Sequence, residues 1–350
     1  MKFSMLLSIV LSIVLKIVLS IALLASLSGC SKPDSKATLT DYQQRLSRVL
    51  ELDTLTVQME PLPALPRPSE LRQPLPDIRL DLADAWASRE CGLDQLIGER
   101  NSSLGRVFQP SMQLNYELRL LARLQRCLQQ DISPELQLQV TNWLSEKQQN
   151  ITIALHNMLL ADDTLRQQWQ GSKQQLVATE NTGFVESSSA LNNLLSLTEL
   201  VKQQQWQQAA AVDIEQSLAA LYQHDFPGKL QQSLRYSAAW FSQVNPQLLA
   251  IAPASLCPNG RSTEQLKILT TVFSKFFIVQ VQAHLAQLRR FYTESWPLIA
   301  GLYRDTALYP ALQQRYQQPA EQLQQQLMLH VQWWQQLNQQ CPLNLTQQPR

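Results

Sequence analysis

Apolar residues recur at helical spacing along most of the chain. Between residues 38 and 52, Leu39, Tyr42 and Leu46 fall on one face, which predicts an amphipathic helix. The same spacing predicts further helices over residues 79–104, 110–129, 134–160, 190–208, 213–223, 227–244, 262–296 and 319–340. The pattern therefore predicts an all-α fold, a multi-helix bundle built from antiparallel helical hairpins.

Composition supports this fold class. The 350 residues include only 9 glycines, whereas sheet-based folds use glycine in tight turns and close backbone approaches. Leucine, alanine, glutamine, glutamate and arginine are abundant and all favour helices. The net charge is +1 and 16% of the residues are charged, so the chain lacks the basic footprint of a nucleic-acid-binding protein.

Two stretches interrupt the helical pattern. Residues 61–76 read PLPALPRPSELRQPLP, and their prolines predict an extended segment. This segment could be a flexible tether, but its interleaved leucines (Leu62, Leu65, Leu71 and Leu75) indicate that it lies against the body. Residues 171–189 are more polar and predict a loop or a seam between domains.

The first thirty residues predict how the chain is localised. An apolar run over residues 17–28 ends in Leu27-Ser28-Gly29-Cys30, which resembles the lipobox of bacterial lipoproteins. The resemblance implies cleavage before Cys30 and acylation of its thiol, and Ser31 favours anchoring at the periplasmic face of the outer membrane. The alternative is an uncleaved membrane helix over residues 5–27, with the Lys16 side chain extended towards the membrane surface.

These features predict a sequence of segments along the chain. We expect a signal peptide over residues 1–29, followed by a lipid-anchored helix and the proline-rich segment over residues 30–76. An N-terminal helical bundle then covers residues 77–170. After the loop or seam at 171–189, a C-terminal bundle covers residues 190–350.

Four further cysteines predict disulfides, because an exported chain meets an oxidising compartment. Among the three possible connectivities, their spacing favours Cys91–Cys127 and Cys257–Cys341. A zinc site is the competing use of these thiols, but the chain has no CxxC or HxxxH spacing. We therefore expect no metal and no cofactor.

The densest polar stretch lies between two predicted helices and contains Glu99, Arg100, Asn101, Ser102 and Ser103. Gly105 suits a left-handed position after a helix, and Pro110 suits the first turn of the next helix. Antiparallel partners then have numbers that sum to about 215. This register predicts a structural hairpin clamp, in which Glu99 and Arg100 pair with Arg119 and Glu117. The side chains of residues 101–103 bond free carbonyls at the helix end.

A catalytic interpretation of the same stretch stays open. LIGERNSS resembles the helix-borne glutamate of lytic transglycosylases, in which a carboxylic acid protonates a glycosidic oxygen. In this chain, however, Arg100 follows Glu99 where that family has serine, and the family's Gly-Leu-Met-Gln turn is absent. The GxSxG, P-loop and HExxH motifs are also absent.

Two longer motifs carry a second resemblance. CGLxxLIxERNSSLGRV followed by YELRLL, and LCPxGxxTxxxxILxxVFxKFxIxQVQxxLAxL, are similar to an uncharacterised family of Gram-negative lipoproteins, domain of unknown function 3080. The resemblance implies a lipoprotein and brings no activity or catalytic residue with it. We expect a non-enzymatic binding or scaffolding module with an unknown partner in the cell envelope, and keep the glycan-acting enzyme as the alternative.

Overall fold

The computed structural model describes residues 32–76, 80–341 and 343, which include no β-strand. The signal peptide and Cys30 lie outside the described residues. The described helices are α1 (Ser35–Leu50), α2 (Pro68–Leu71), α3 (Leu82–Ala87), α4 (Asp94–Asn101), α5 (Pro110–Cys127), α6 (Pro134–Ala161), α7 (Asp163–Gln170), α8 (Phe184–Lys202), α9 (Trp206–Ala209), α10 (Ile214–His224), α11 (Phe226–Leu249), α12 (Glu264–Tyr303), α13 (Tyr309–Leu312) and α14 (Gln318–Gln340). The predicted all-α class is confirmed.

Side-chain caps set where several of these helices begin. The Asp34 carboxylate accepts the backbone N–H of Ala37 at 2.8 Å and starts α1. Ser133 precedes Pro134, the first residue of α6, and its hydroxyl accepts the N–H of Leu136 at 3.2 Å. Such caps satisfy backbone donors that have no partner within the helix.

Three apolar clusters form the core. The first joins α1, α11, most of α12 and α14 around Trp240, Phe277 and Trp334. The second joins α5 to α10 with the end of α12, and includes Met158 from before residues 171–189 and Leu194 from after them. The third packs residues 80–97 against α5 and α6. The division into an N-terminal and a C-terminal bundle stays a prediction.

Helix α12 is long and apolar enough to cross a membrane by length and composition. Its π-helical segment Val272–Gln282 carries the broad apolar stripe seen in the sequence. Phe277, Leu288 and Phe291 of α12 are fully buried in the first cluster. These contacts bury one face of α12 in the first cluster.

Two disulfides close loops in the described chain, Cys91–Cys127 and Cys257–Cys341. These are the predicted pairs. They span 36 and 84 residues, and in the chain-entropy model loops of this length stabilise by about 4 kcal/mol each. The first bridge ties residues 89–91 to the end of α5, and the second ties the segment before α12 to the end of α14.

The predicted continuous helix over residues 79–104 is wrong. The described part of this range forms α3, a 3₁₀ turn at Arg89–Cys91 and α4. The break follows from Gly92, whose φ of 66° is left-handed and ends the 3₁₀ turn. The loop predicted over residues 171–189 is also too long, because α8 already begins at Phe184.

The expectation that Gly105 is left-handed is wrong as well. Gly105 opens a 3₁₀ turn, Gly105–Val107, and its φ is not positive. Glycine is needed there because of crowding, since a Cβ at this position would collide with the backbone carbonyls of Glu99 and Arg100. The chain therefore folds back onto the end of α4.

Residues 52–76, which we call the strap, run extended except for the single turn of α2. Leu65 is buried in the second cluster, and Leu71 and Leu75 pack against it. The expectation that this segment lies against the body is confirmed.

Side chains from four helical segments bond the backbone of the strap. Asn157 of α6 accepts the N–H of Gln73 and donates to its carbonyl, both at 2.9 Å. Gln243 of α11 does the same at Gln58, at 3.0 and 2.6 Å. Three arginine side chains donate to further carbonyls of the strap. Arg235 donates to Glu60 at 2.5 Å, Arg315 to Pro63 at 2.5 Å and Arg166 to Pro66 at 2.6 Å.

Burial lowers the pKa of each of these three arginines. A buried guanidinium needs acceptors in place of water, and the strap carbonyls supply them.

Two glycines that lie seven residues apart give a matched test of the fold around α4. We expect Gly105→Ala to destabilise the protein by about 1–3 kcal/mol, because the added methyl group overpacks against two carbonyls. We expect Gly98→Ala to stabilise it by about 0.4–1 kcal/mol, because the position is helical and no atom lies within 4 Å of an added Cβ. Urea denaturation measures both changes. A neutral Gly105→Ala variant would contradict the crowded turn.

Candidate functional site

The polar stretch at the end of α4 forms a compact turn. Arg119 of α5 donates to both carboxylate oxygens of Glu99, at 3.1 and 2.8 Å. The Ser102 hydroxyl donates to the Glu99 carbonyl at 2.7 Å and accepts the N–H of Gly105 at 3.0 Å. Arg100 donates to the carbonyl of Gly105. The Glu99–Arg119 contact joins α4 to α5, and the other contacts close the turn that follows α4.

The remaining polar residues of the stretch differ in their surroundings. Asn101 reaches back and donates to the carbonyl of Leu80 at 2.9 Å, away from the helix end where we expected its bond. Ser103 is exposed. The two side chains of the Glu99–Arg119 pair are 38% and 43% exposed, so this pair lies at the surface.

Glu117 is paired with a residue that the sequence analysis did not identify. Lys147 of α6 contacts its carboxylate at 2.9 Å, and both side chains are less than a tenth exposed. Gln113, one turn earlier on α5, donates to the same carboxylate at 2.6 Å. The predicted partner of Glu117 was Arg100. Lys147, which comes from the next helix, is a buried counter-charge that the prediction did not include.

A small pocket opens beside this buried pair. Its volume is about 180 Å³, and it lies between the strap, the turn after α4 and the two helices α5 and α6. We call it the cationic pocket, because three cationic side chains (Arg72, Arg100 and Lys147) line it against the single carboxylate of Glu117. Leu75, Pro76 and Phe108 supply apolar walls.

The cationic side chains that line the pocket are of the kind that attract an anionic group. An ammonium has three N–H donors, and the two oxygens of Glu117 engage Lys147 at 2.9 and 3.2 Å. Geometry thus leaves a donor of Lys147 for a ligand within the described site. Arg72 lies exposed on the strap at the rim. A carboxylate or phosphate would meet positive charge on two sides.

A second polar cluster is sealed inside the first apolar cluster. His330 lies 2.9 Å from the hydroxyl of Tyr42 through Nε2 and 2.9 Å from Asn245 Oδ1 through Nδ1. Burial lowers the pKa of His330 to about 3. His284 likewise lies 2.7 Å from the Ser35 hydroxyl, and burial lowers its pKa to about 4. Both histidines and the hydroxyl groups that they contact are shielded from solvent. We therefore interpret these hydrogen bonds as part of the packed core.

The described residues contain no group of three histidine, cysteine, aspartate or glutamate side chains arranged to hold a metal ion. The four cysteines in this part of the chain are all in disulfides.

Sequence reasoning missed Lys147 and the strap-binding arginines for one reason. Each of these contacts joins residues far apart in the chain, such as Glu117 with Lys147 or Pro63 with Arg315. One local feature could have indicated the buried pair: Lys147 lies on the apolar side of α6, between Val140 and Ile151.

Comparison with known proteins identifies the family. The chain belongs to the family described as "Protein of unknown function (DUF3080)", which matches residues 39–345. No curated protein and no solved structure matches the chain. The predicted membership of this family is thereby confirmed, and its description as a family of Gram-negative lipoproteins stays a prediction.

The two ion pairs of this region should differ in their contribution to stability. We expect Glu99→Gln to cost about 0.2–1 kcal/mol, because its partner Arg119 stays hydrated. We expect Glu117→Gln to cost about 3–5 kcal/mol, because Lys147 would be left buried without a counter-charge. Urea denaturation of both variants gives the comparison. Exposed Glu146, which precedes Lys147, is the matched control, and we expect Glu146→Gln to leave stability unchanged.

Two further measurements separate the clamp from the catalytic alternative. In a double-mutant cycle, the losses from Glu99→Gln and Arg119→Met should not add, because the second change removes a charge that has already lost its partner. The second measurement is a peptidoglycan digestion assay. Cleavage by the wild type that is lost in Glu99→Gln would favour the enzyme.

The stability comparison of the two ion pairs has its own controls. If Glu117→Gln fails to fold, combining Glu117→Leu with Lys147→Met should recover folding. Equal losses of stability at Glu99 and Glu117 would contradict the difference in burial.

Proposed function

We propose that this member of the family is a lipoprotein of the outer membrane that faces the periplasm and binds an anionic group of an envelope partner without catalysing a reaction. The observation that carries the proposal is the cationic pocket, in which three cationic side chains face one carboxylate. The partner contributes a carboxylate or a phosphate, the groups that arginine and lysine bind most strongly.

The membrane anchor is proposed from the sequence. Leu27-Ser28-Gly29-Cys30 supports acylation of Cys30, and each buried acyl methylene contributes about 0.8 kcal/mol to membrane binding. Helix α1 begins at Ser35. At about 3.5 Å per residue, the intervening chain spans at most about 18 Å. A lipid on Cys30 would therefore keep the helical body close to the membrane surface.

The pocket supports binding through its construction. Lys147 and Glu117 are fixed by burial and by each other, so the floor is ordered before a ligand arrives and little side-chain entropy is lost on binding. The strap wall is also fixed, because Asn157 bonds both backbone groups of Gln73, the residue after Arg72. A pocket of about 180 Å³ suits a single charged group at the end of a larger partner.

The catalytic alternative has less support. Both oxygens of Glu99 accept hydrogen bonds from Arg119, whereas an acid that acts on a glycosidic bond must direct a proton at the substrate.

Mass spectrometry tests the anchor. For protein purified from bacterial envelopes, we expect residues 1–29 to be missing and Cys30 to carry acyl chains. Cys30→Ser should abolish acylation and release the protein from the membrane fraction, because the serine hydroxyl cannot form the thioether bond to the lipid. Retention of residues 1–29 on the native protein would contradict the anchor.

Calorimetry tests the pocket. Inorganic phosphate and an acetylated dipeptide with a free C-terminal carboxylate are the probes. We expect Arg72→Ala to weaken binding by at least about tenfold, because a hydrogen bond to a charged group contributes about 1.5–3 kcal/mol. Binding should also weaken as salt is added.

Arg67, another exposed strap arginine that does not line the pocket, is the matched control. We expect Arg67→Ala to bind both probes as the wild type does. An equal loss of affinity in the two variants would indicate attraction by net charge alone. If neither probe binds the wild-type protein, the proposed function is refuted.

A further inference from the structure

A second and larger cleft lies at the other end of the strap. Its volume is about 450 Å³, and strap residues 58–63 form one wall. Helix α11 forms the floor with Arg235, Ala239, Ser242 and Gln243, and the opposite wall comes from the helical segment that leads into α14. We call it the glutamine cleft. It shares no lining residue with the cationic pocket.

The floor of this cleft already binds one extended peptide, the strap itself. Gln243 pairs with Gln58 as a neighbouring strand would, accepting its N–H at 3.0 Å and donating to its carbonyl at 2.6 Å. Arg235 donates to the carbonyl of Glu60 at 2.5 Å. These contacts recognise backbone groups and are independent of the side chains of the bound segment.

The opposite wall offers the same chemistry without an occupant. Gln314, Gln318 and Gln322 line it, and all three are exposed. Within the described chain, their side-chain amides make no hydrogen bond. Each amide has donors and an acceptor, so this wall can pair with backbone N–H and C=O groups as Gln243 does.

The spacing of these amides suits an extended backbone. Gln318 and Gln322 are four residues apart on α14, which separates them by about 6 Å along the helix. In an extended chain, residues that point the same way repeat every two residues, or about 6.6 Å. Successive glutamines can therefore reach the backbone of alternate residues in one bound segment.

The remaining lining determines what kind of segment fits. Arg235 and Glu60 contribute one charge of each sign, and the Arg235 guanidinium is already bonded to the strap. Met59, Leu62 and Pro319 are apolar. An uncharged segment with small or apolar side chains therefore matches the cleft better than a charged one.

We propose that the glutamine cleft binds an extended, uncharged peptide segment of a partner protein, which lies beside strap residues 58–63 and bonds through its backbone to Gln318 and Gln322. The strap and the bound segment then occupy opposite walls of one cleft. This inference is independent of the anion-binding role of the cationic pocket.

Selection followed by calorimetry tests the proposal. A phage library of short random peptides is selected on the chain that begins at Cys30, with that residue changed to serine, and the enriched peptides are synthesised. We expect extended, uncharged sequences that bind the wild-type surface. Combining Gln318→Ala with Gln322→Ala should weaken their binding about tenfold, because two hydrogen bonds of about 0.5–1.5 kcal/mol each are lost.

The matched control combines Gln325→Ala with Gln332→Ala, two exposed positions of the same helix that do not line the cleft. We expect the control to bind as the wild type does, and both double variants to fold, since alanine favours helix. A selection that enriches no peptide, or binding that survives in the Gln318/Gln322 variant, overturns the proposal. Soluble glycan strands that bind only through these glutamines, while no peptide binds, would overturn it in favour of a glycan site.

Discussion

The backbone carbonyls of the strap impose the constraint on which much of this structure depends. A proline-rich segment lacks several N–H groups and cannot form a long helix or a regular ladder, yet its carbonyls need donors wherever they are covered. Here the helices supply those donors through Asn157, Arg166, Arg235, Gln243 and Arg315. Because these side chains come from α6, α7, α11 and the segment before α14, one extended chain ties together the helices of two apolar clusters.

The strap also explains where the two concave surfaces lie. Helices packed side by side leave shallow grooves, and an extended segment laid across them closes a groove into a pocket. Strap residues 58–63 wall the glutamine cleft, and Arg72, Leu75 and Pro76 wall the cationic pocket. The two ends differ in chemistry because cationic side chains of the strap and of helices α4 and α6 line the pocket, whereas glutamine side chains of the helices line the cleft.

Features set by residues close together in the chain were predicted well from the sequence, and contacts between distant residues mostly were not. Long helices such as α6 and α12 were predicted because an apolar stripe at helical spacing is local information. The range 79–104 failed because a single left-handed residue, Gly92, interrupts a pattern that otherwise continues. In the candidate site, Glu117 was identified but Lys147 was not, because nothing near either residue in sequence indicates that they meet. The disulfide pairs were predictable because the even number of cysteines and their spacing limited the choices.

The buried pair of Glu117 and Lys147 is difficult to explain by stability alone. Two charges withdrawn from water lose several kcal/mol each in hydration, and an apolar pair of similar volume is often as stable or more stable. The pair at Glu99 and Arg119, in contrast, lies at the surface, where little hydration is lost. A buried lysine fixed at a pocket floor gains a second favourable interaction when an anion binds, because the low-dielectric surroundings strengthen that attraction. The proposed anion binding would account for the cost of burying this pair, since the carboxylate of Glu117 fixes the position of the Lys147 ammonium at the floor of the pocket.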